Sequence, residues 1–303
     1  MVERIQYDEF GLFHENAEEF GLPYDGPPTV RRERVEVEPG RSLSALVWGS
    51  TEPELVLLHG GAQNAHTWDT VAMALGRPLV AIDLPGHGHS DGPRDGPGGQ
   101  LALQGNADDV AVAIRGLAPN ARAVVGMSMG GMTSIALVGA APELVRRLVL
   151  VDITPGVTAG KAKAITDFVN GPANFASFED LLARTIEHNP TRTESSLRRG
   201  ILHNAIQLDD GSWEWRYRRF RLPEGTAAER PDYGALWDIL GGITVPVMLV
   251  RGMRPQSVVD DSDEATLLER VPSARIEHVE EAGHSVQGDA PLELARLLDD
   301  FVP

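Results

Sequence analysis

Short, almost continuously apolar segments recur along this chain, and they constrain its fold more than any other feature. They are ELVLLHG (54–60), PLVAIDLPG (78–86), ARAVVGMS (121–128), VRRLVLVDITPG (145–156) and VPVMLVRG (245–252), with the shorter RIEHV (275–279). Such segments are typical of parallel strands that are covered on both faces. Segments with helical spacing of apolar residues lie between them, at about 67–76, 102–117, 130–141, 262–270 and 291–301. The alternation predicts an α/β fold with a mostly parallel central sheet flanked by helices, and ligand chemistry at the carboxyl ends of the strands.

The start of the chain has a different pattern. RRERVEVEP and LSALVWG alternate between polar and apolar residues, which predicts an antiparallel hairpin at the edge of the sheet. We assign residues 1–30 to an N-terminal extension, and residues 31–154 together with 236–303 to the core domain.

The region from 155 to 235 interrupts the alternation, because it contains no convincing buried strand. Ser177 with Asp180, and Thr191 with Glu194, form candidate capping boxes just before helical segments. We therefore predict a helical cap at 155–235, inserted after the sixth strand.

Composition excludes several classes of function. Asp and Glu outnumber Lys and Arg by 44 to 27, which gives a formal net charge of −17. A surface of this charge repels phosphate backbones and anionic lipids, so we expect neither nucleic-acid nor membrane binding. The chain has no cysteine, which rules out disulfides, thiolate metal sites and a cysteine nucleophile. Without an apolar leader or a long apolar run, a cytoplasmic protein is expected. A monomer or a homodimer is expected, and the sequence does not decide between them.

The segment VGMSMGGM (125–132) contains the strongest candidate for a nucleophile. Gly-x-Ser-x-Gly is weak evidence alone, but here a predicted strand leads into Ser128 and a predicted helix follows it. In such a turn Gly126 and Gly130 let neighbouring backbone pass closely, and the hydroxyl lies at the N-terminal end of the helix. Exposed N–H groups and the helix dipole favour developing negative charge there.

The segment LLHGGAQNAHTW (57–68) supplies a tight turn at the end of another strand. We expect the backbone N–H groups of Gly61 and Met129 to form an oxyanion hole. His59 is interpreted as a structural residue that holds the turn. His66 is a candidate pocket residue, whereas Trp68 is expected in the core.

The segment VEEAGHSVQGDAP (279–291) places His284 on a loop between the last strand and a helix. It is the one histidine late in the chain at a strand end, where a base for Ser128 must lie. His87 and His89, in LPGHGHS, have a spacing that suggests a metal site. No third ligand accompanies them, so we interpret this segment as a loop at the pocket entrance and predict no metal or cofactor.

The order of these motifs resembles that of the α/β-hydrolase fold superfamily, over roughly residues 30–303. The resemblance rests on strand-HGG, strand-DLPGHGHS, GMSMG, a helical insertion and a late AGHS. It is greatest to small bacterial esterase-like members with a cap after the sixth strand. The resemblance implies a Ser–Asp–His mechanism, a cap over the site, and ester or related acyl substrates.

The acid of such a triad is the member that the sequence leaves open. In the superfamily it usually follows the penultimate strand, but here VPVMLV is followed by RGMRPQSVV, without a carboxylate until Asp260. Asp260 lies where capping of the next helix explains an acid. Asp152 instead ends an apolar strand, where an unpaired carboxylate would be costly and an imidazole N–H would be a suitable partner. We predict Asp152 as the acid, with Asp260 as the alternative.

The leading interpretation is a serine carboxylesterase that acts on small to medium esters or lactones through an acyl-enzyme. A serine in place of aspartate at the elbow argues against haloalkane dehalogenases and epoxide hydrolases of the superfamily. The alternatives are a C–C bond hydrolase of ring-cleavage products, a cofactor-free perhydrolase, or a non-catalytic small-molecule receptor. The C–C hydrolase would need an anion-binding pocket, for which Asn64, Arg251 and Arg254 are candidates.

The predicted cap contains Trp213, Trp215 and Tyr217 at every second position, so that one face of an extended segment is aromatic. These rings would either pack the cap onto the core or form a wall against the substrate, with Glu214, Arg216 and Arg218 on the opposite face. Trp213 and Trp215 join His66 as candidate pocket residues.

Overall fold

The computed structural model describes residues 4–94, 103–189, 191–217 and 233–303. In chain order, the strands of this part are β1 (Val30–Glu38), β2 (Arg41–Trp48), β3 (Leu55–Leu58), β4 (Leu79–Ile82), β5 (Ala123–Met127), β6 (Leu148–Val151), β7 (Asn174–Phe175), β8 (Ala205–Gln207), β9 (Trp213–Trp215), β10 (Val247–Gly252) and β11 (Arg275–Val279). The helices are α1 (Phe13–Phe20), α2 (Asp69–Leu75), α3 (Leu103–Leu117), α4 (Met129–Ala140), α5 (Lys163–Val169), α6 (Phe178–His188), α7 (Glu194–Asn204), α8 (Gly234–Gly241), α9 (Asp261–Arg270), α10 (Val286–Asp289) and α11 (Pro291–Phe301).

Eight strands form the central sheet, in the order β1-β2-β4-β3-β5-β6-β10-β11. The hairpin β1–β2 is antiparallel and lies at one edge of this sheet, and β2 also pairs antiparallel with β4. The remaining strands, β4, β3, β5, β6, β10 and β11, run parallel to one another. Met127 pairs with Val151, and Val151 pairs with Val250, so β5, β6 and β10 end at the same edge of the sheet. The predicted fold class is confirmed, and the register brings the residues that follow these strands together.

The strands alternate their side chains between two apolar layers. Leu58 and Leu150 pack with α3, α4, α8 and α9 on one face, and Leu57 and Val149 pack with α1, α2, α10 and α11 on the other. Both layers are fully buried, which explains why these strands read as uninterrupted apolar segments in the sequence.

Replacing Leu57 with alanine tests the importance of this core. The side chain is completely buried, so we expect Leu57→Ala to lower the free energy of unfolding by about 2–5 kcal/mol through the cavity that it leaves. Leu268, on the surface of α9, is 40% exposed and serves as the matched control. Leu268→Ala should change the free energy of unfolding by less than about 0.5 kcal/mol. Equal losses in urea denaturation would contradict this packing.

The region inserted after β6 contains strands as well as helices. The antiparallel sheet β7-β9-β8 packs on α6 and α7 around buried aromatic residues, so the expectation that this region lacks strands is wrong. The strands are only two or three residues long, too short for a periodic signal in the sequence. Ser177 caps α6 as predicted, but Thr193 rather than Thr191 caps α7.

The segment before β1 contacts both the core and the inserted region. Phe13 of α1 packs against Trp48 in the core, with ring centroids 5.2 Å apart. On the other side, Glu19 of α1 pairs with Arg199 of α7. This segment therefore links the two parts of the chain. Within the described ranges, we find no helix with both the length and the apolarity needed to cross a bilayer.

Candidate active site

Ser128 occupies a sharp turn between β5 and α4, with φ 50° and ψ −117°. The turn is possible because glycines allow close backbone contact. A Cβ added to Gly126 would lie 2.5 Å from the carbonyl oxygen of Gly130, and one on Gly130 would lie 2.7 Å from that of His59. The serine hydroxyl thus lies at the N-terminal end of α4, as the Gly-x-Ser-x-Gly pattern predicts.

Backbone strain is concentrated around this turn. Ala62, Ser128 and Asp152 are the non-glycine residues with positive φ in the described part of the chain. Such conformations cost about 1–3 kcal/mol each and persist only where the surroundings impose them. Their presence at three adjoining strand ends identifies this edge of the sheet as the candidate active site.

Asp152 and His284 form a direct pair. Asp152 follows β6, and His284 lies on the loop between β11 and α10. The imidazole Nδ1 of His284 is 2.8 Å from Oδ2 of Asp152. Because a carboxylate can only accept, Nδ1 donates this hydrogen bond, and Nε2 is left as the basic nitrogen. The Ser128 N–H donates to the carbonyl oxygen of Val151, the residue before Asp152, at 3.4 Å.

The loop after β10 contains no carboxylate, but it supplies hydrogen-bond donors to Asp152. Asp152 is completely buried, and its carboxylate accepts hydrogen bonds from Gly252 N–H at 2.9 Å, Ser257 Oγ at 2.6 Å and Val258 N–H at 3.0 Å. With the bond from His284, four donors compensate the desolvation of this charge. The sequence analysis did not identify Ser257 as a partner of Asp152. The one indication was that its loop, RGMRPQSVV, contains no carboxylate.

Asp260 has a different environment. Its side chain accepts from the backbone N–H of Asp263 in a capping box at the start of α9, and it pairs with Lys161 at 2.8 Å. The capping explanation of this acid is confirmed, and the partner of His284 is Asp152.

The turn after β3 packs directly against the elbow. A Cβ on Gly60 would lie 3.3 Å from Cβ of Ser128. The backbone N–H groups of Gly61 and Met129 find no acceptor within the described part of the chain, so they remain available to an incoming oxyanion. Gln63 steadies the turn, since its Oε1 accepts from the Gly60 N–H at 3.2 Å.

His59 and His87 hold the turn after β3 through hydrogen bonds. Nε2 of His59 accepts from the Leu84 N–H at 3.0 Å, and burial lowers the pKa of its imidazole. Nε2 of His87 accepts from the Ala62 N–H at 3.1 Å. Both residues are structural. His89 is partly buried, and burial together with the nearby Arg32 lowers its pKa to about 4.

The inserted region also holds the turn in place, a contact that the sequence did not reveal. Nδ2 of Asn204, at the end of α7, donates to the carbonyl oxygen of Ala62 at 2.6 Å. Asn64 donates to the side chain of Asn204 and to the carbonyl oxygen of His203, both at 3.2 Å. The turn around Gly61 is therefore held in place by the end of α7.

We expect Asn204→Ala to lower kcat by about 10–100-fold, because a displaced oxyanion donor loses transition-state stabilisation. KM for a small ester should change much less. Asn120, an exposed residue that bonds Glu52, provides the control variant Asn120→Ala. Steady-state kinetics, measured together with melting temperatures, separate a loss of catalysis from a loss of stability. An unchanged kcat in a less stable protein would show that Asn204 has only a structural role.

His66 lies in a buried polar cluster. Its Nδ1 is 2.8 Å from Oδ2 of Asp69, and its Nε2 is 3.0 Å from Oε1 of Glu9. Burial alone would lower its pKa, but the charge and hydrogen bond of Asp69 outweigh that and raise the pKa to about 9. The neighbouring Trp68 is completely buried, as expected of a core residue.

A cavity of about 180 Å³ lies between α7, the turn after Gly61 and the loop that follows His284. Gln63, Ser285 and Gln287 bring its wall next to the loop of His284, and His66 and Trp215 also line it, whereas Ser128 and His284 themselves do not. Trp213 does not belong to this lining. It packs edge-on against Phe178, with ring centroids 5.2 Å apart, inside the inserted region.

The aromatic stripe mainly forms the core of this region. Trp215 stacks against Tyr217 at 5.8 Å, and both are buried. Glu214 and Arg216, on the alternate positions, are half-buried, while Arg218 lies outside the described residues. Trp213 is thus a packing residue, whereas Trp215 also reaches the cavity.

The residues considered for an anion-binding pocket have protein partners. Arg251 pairs with Asp261 and Glu264, each at 2.8 Å, and Arg254 pairs with Glu281 at 2.5 Å. Asn64 bonds the end of α7. These contacts do not favour a dianion-binding site.

Comparison with known proteins agrees with this architecture. The profile of the alpha/beta hydrolase family matches residues 55–297. The esterase Rv0045c of Mycobacterium tuberculosis is 44% identical over 299 residues, which cover 96% of this chain and 94% of that protein. A solved structure of that esterase superposes with a TM-score of 0.82 at 41% identity, over 98% of this chain and 99% of the other. The sn-1-specific diacylglycerol lipase ABHD11 of Xenopus laevis is 28% identical, over 82% of this chain and 80% of that protein. The chain therefore belongs to the alpha/beta hydrolase family.

Proposed function

We propose that this chain hydrolyses small to medium carboxylic esters or lactones through an acyl-enzyme on Ser128. The chain is a serine hydrolase of the esterase type, in agreement with its family and with a full-length relative that is 44% identical. The contact between His284 and Asp152, at the strand end beside Ser128, is the observation that carries the proposal.

Each proposed residue has one role in this reaction. Ser128 Oγ attacks the ester carbonyl carbon while Nε2 of His284 accepts its proton, and Asp152 orients and stabilises the imidazolium. The N–H groups of Gly61 and Met129 bind the oxyanion of the tetrahedral intermediate.

The same groups complete the cycle. When the intermediate collapses, His284 returns the proton to the departing alcohol and leaves the acyl group on Ser128. Water then attacks this acyl-enzyme with His284 as the base, and release of the carboxylic acid restores Ser128. Every proton transfer passes through His284, so we propose no cofactor or metal for this chemistry.

We propose that residues 155–235 form a cap that determines specificity. The space between this cap and the core would then limit the size of the substrate. The cavity of about 180 Å³ is smaller than the clefts of about 300–1,000 Å³ that hold drug-sized ligands. Trp215 and His66 line it, and we retain these two as pocket residues. We propose that this cavity, which adjoins the loop of His284, holds a compact acyl or alcohol group of a substrate whose carbonyl carbon lies at Ser128.

A substrate panel tests this proposal. We expect p-nitrophenyl esters of short and medium acyl length, and small lactones, to be hydrolysed by the wild type and not by Ser128→Ala. A coloured dienoate from aromatic ring cleavage, and peracid formation from acetate and peroxide, distinguish the alternative reactions. Faster turnover of the dienoate than of every ester would favour the C–C hydrolase, and no turnover of any ester would contradict the proposal.

The association state and location are also proposals. The net charge of −17 favours a chain that stays dispersed and free of anionic surfaces, so we propose a cytoplasmic monomer or homodimer. Light scattering after size-exclusion chromatography measures the association state, and cell fractionation tests the location.

A further inference from the structure

The cavity beside the loop of His284 differs in charge from the rest of this acidic protein, whose formal net charge is −17. Among the described residues that line it, Asp69 is the one acid, whereas the basic residues are His66, Arg192 and Arg199. We propose that Arg192 binds a carboxylate carried by the substrate itself, so that the substrate is an ester with a free carboxylate at the end remote from its reacting carbonyl. This inference rests on the proposed esterase function and names a substrate class for it.

Two of the three basic residues already have their charge balanced. Arg199 pairs with Glu19 of α1. Nδ1 of His66 is 2.8 Å from Oδ2 of Asp69. Burial opposes protonation of His66, but the charge and hydrogen bond of Asp69 outweigh it and raise the imidazole pKa to about 9. The two charges of this pair therefore offset each other at neutral pH, and the unbalanced charge in the cavity is that of Arg192.

Arg192 has no ion pair within the described part of the chain. Its Nη2 donates to Oγ of Ser196, which uses one of the five N–H groups of the guanidinium. Glu19 and Asp289 act on it only from a distance, and Asp289 instead accepts from the Gly283 N–H at 3.0 Å. Burial lowers the pKa of Arg192, yet an arginine stays charged in a protein. A carboxylate is thus the partner that this half-buried group lacks.

The guanidinium lies close to the loop of the proposed base. Arg192 precedes α7, and its Nη1 lies against Gly288, where an added Cβ would overlap it. Gly288 follows His284 by four residues, and the adjacent Gln287 lines the same cavity. Four helical residues advance about 6 Å, which a chain of about four to six atoms can span. An ester of this length can extend along the wall from Ser128 to Arg192.

Two acceptor atoms restrict where an anion can lie. Oδ1 of Asp69 and Oε1 of Gln287 are buried and have no hydrogen-bond partner among the residues that the structure describes. Both residues line the cavity, and neither oxygen can donate to a carboxylate. They therefore repel an anion from their part of the wall and direct it to the guanidinium of Arg192.

This site differs from the dianion pocket that a C–C hydrolase would need. Arg251 and Arg254 are engaged in ion pairs, and they are absent from the lining of this cavity. One free guanidinium binds one carboxylate, with two parallel N–H donors. The cavity therefore suits a substrate that carries a single negative charge.

Two pairs of esters test the site and show which part of the substrate carries the carboxylate. Monoethyl glutarate has it on the acyl group, and the acetate ester of γ-hydroxybutyrate has it on the alcohol. The comparison compound for each is the corresponding primary amide, which has nearly the same shape without the charge. In a pH-stat assay of the wild type, we expect kcat/KM for the acid to exceed that for the amide by about 10–100-fold in at least one pair.

Substitution of Arg192 should remove this preference. We expect Arg192→Gln to bring the acid-to-amide ratio of kcat/KM within about two-fold of unity, and Arg192→Lys, which keeps the charge without the planar fork, to retain part of it. Arg198→Gln is the matched control, because Arg198 lies on α7, pairs with Glu15 at 3.4 Å and does not line the cavity. Its ratio should equal that of the wild type. A ratio taken within one variant cancels any general loss of activity.

Calorimetry measures binding separately from turnover. On Ser128→Ala, which should not hydrolyse these compounds, we expect the Kd of the preferred acid to be about 10–100-fold lower than that of its amide. The double variant that also carries Arg192→Gln should bind the two compounds equally. If the wild type hydrolyses no ester at all, the esterase proposal fails, and this titration still decides the carboxylate site.

Three results would overturn the carboxylate site. They are equal kcat/KM and equal Kd for acid and amide in both pairs, a preference that persists in Arg192→Gln, and a preference that Arg198→Gln abolishes. Hydrolysis of simple esters together with any of these results would leave the esterase proposal standing. If Arg192→Gln does not fold, Arg192→Lys and the comparison of acid with amide on the wild type decide the question.

Discussion

Asp152→Asn is expected to lower kcat on an aryl ester by about 10⁴-fold, with little change in KM. The carboxylate accepts from Nδ1 of His284 at 2.8 Å, and this bond keeps the proton on Nδ1 and leaves Nε2 basic. An amide at this position can instead donate to Nδ1, which stabilises the wrong tautomer and removes the charge that supports the imidazolium. Steady-state kinetics on p-nitrophenyl butyrate would measure the loss.

Asp260→Asn is the matched control, because it makes the same chemical change at the other candidate acid. Asparagine caps a helix about as well as aspartate, and the contact of Asp260 with Lys161 is half-exposed, where ion pairs contribute little. We expect kcat within about two-fold of the wild type, as no catalytic group contacts this side chain. A severe loss in Asp260→Asn with near-normal Asp152→Asn would move the acid to the start of α9.

Ser128→Ala should reduce kcat by about 10⁶-fold, since removal of the nucleophile in serine hydrolases abolishes nearly all catalysis. The variant should still fold, because neither strand nor helix depends on the hydroxyl. Ser128→Gly should be equally inactive but more stable than Ser128→Ala by about 1 kcal/mol, because glycine adopts positive φ without strain.

Denaturant titration of the two variants separates catalysis from conformation. If Ser128→Ala retained a substantial fraction of activity, another nucleophile would have to act. Equal stability of the glycine and alanine variants would instead contradict the strained backbone at φ 50°.

The fold could be predicted from sequence because its parallel strands are buried on both faces. Leu148 to Val151 lie alternately in the two apolar layers, so the chain shows four consecutive apolar residues without a polar face. The residues that follow such strands meet at one edge of the sheet. Ser128, Asp152 and His284 could therefore be proposed from their positions at strand ends, together with the Gly-x-Ser-x-Gly motif and the resemblance to the superfamily.

Contacts between distant segments could not be predicted in this way. Asn204 meets Ala62 across 142 positions of the chain, and no local pattern signals such a hydrogen bond. Ser257 was missed for the same reason, although the absence of an acid in its loop pointed to a different role. The sequence could not show that Trp213 packs on Phe178, because an aromatic stripe has the same spacing whether it packs inside the inserted region or faces a substrate.

The short strands of the inserted region and the start of α7 show the limits of local sequence signals. Thr191 and Thr193 are both followed by acceptable helix residues, and only the observed backbone identifies Thr193 as the cap of α7. The buried cluster around His66 could not be predicted either. Its partners Glu9 and His203 are far from His66 in the sequence and meet it only in the folded chain.

Covalent labelling with a fluorophosphonate, followed by peptide mass spectrometry, tests the central claim most directly. The probe reacts with a serine only where a base and an oxyanion hole activate it. We predict a single adduct on the peptide that carries Ser128, absent in Ser128→Ala and formed far more slowly in His284→Ala. No adduct on the folded wild type, or an adduct on another residue, would contradict the assignment of Ser128 as the nucleophile.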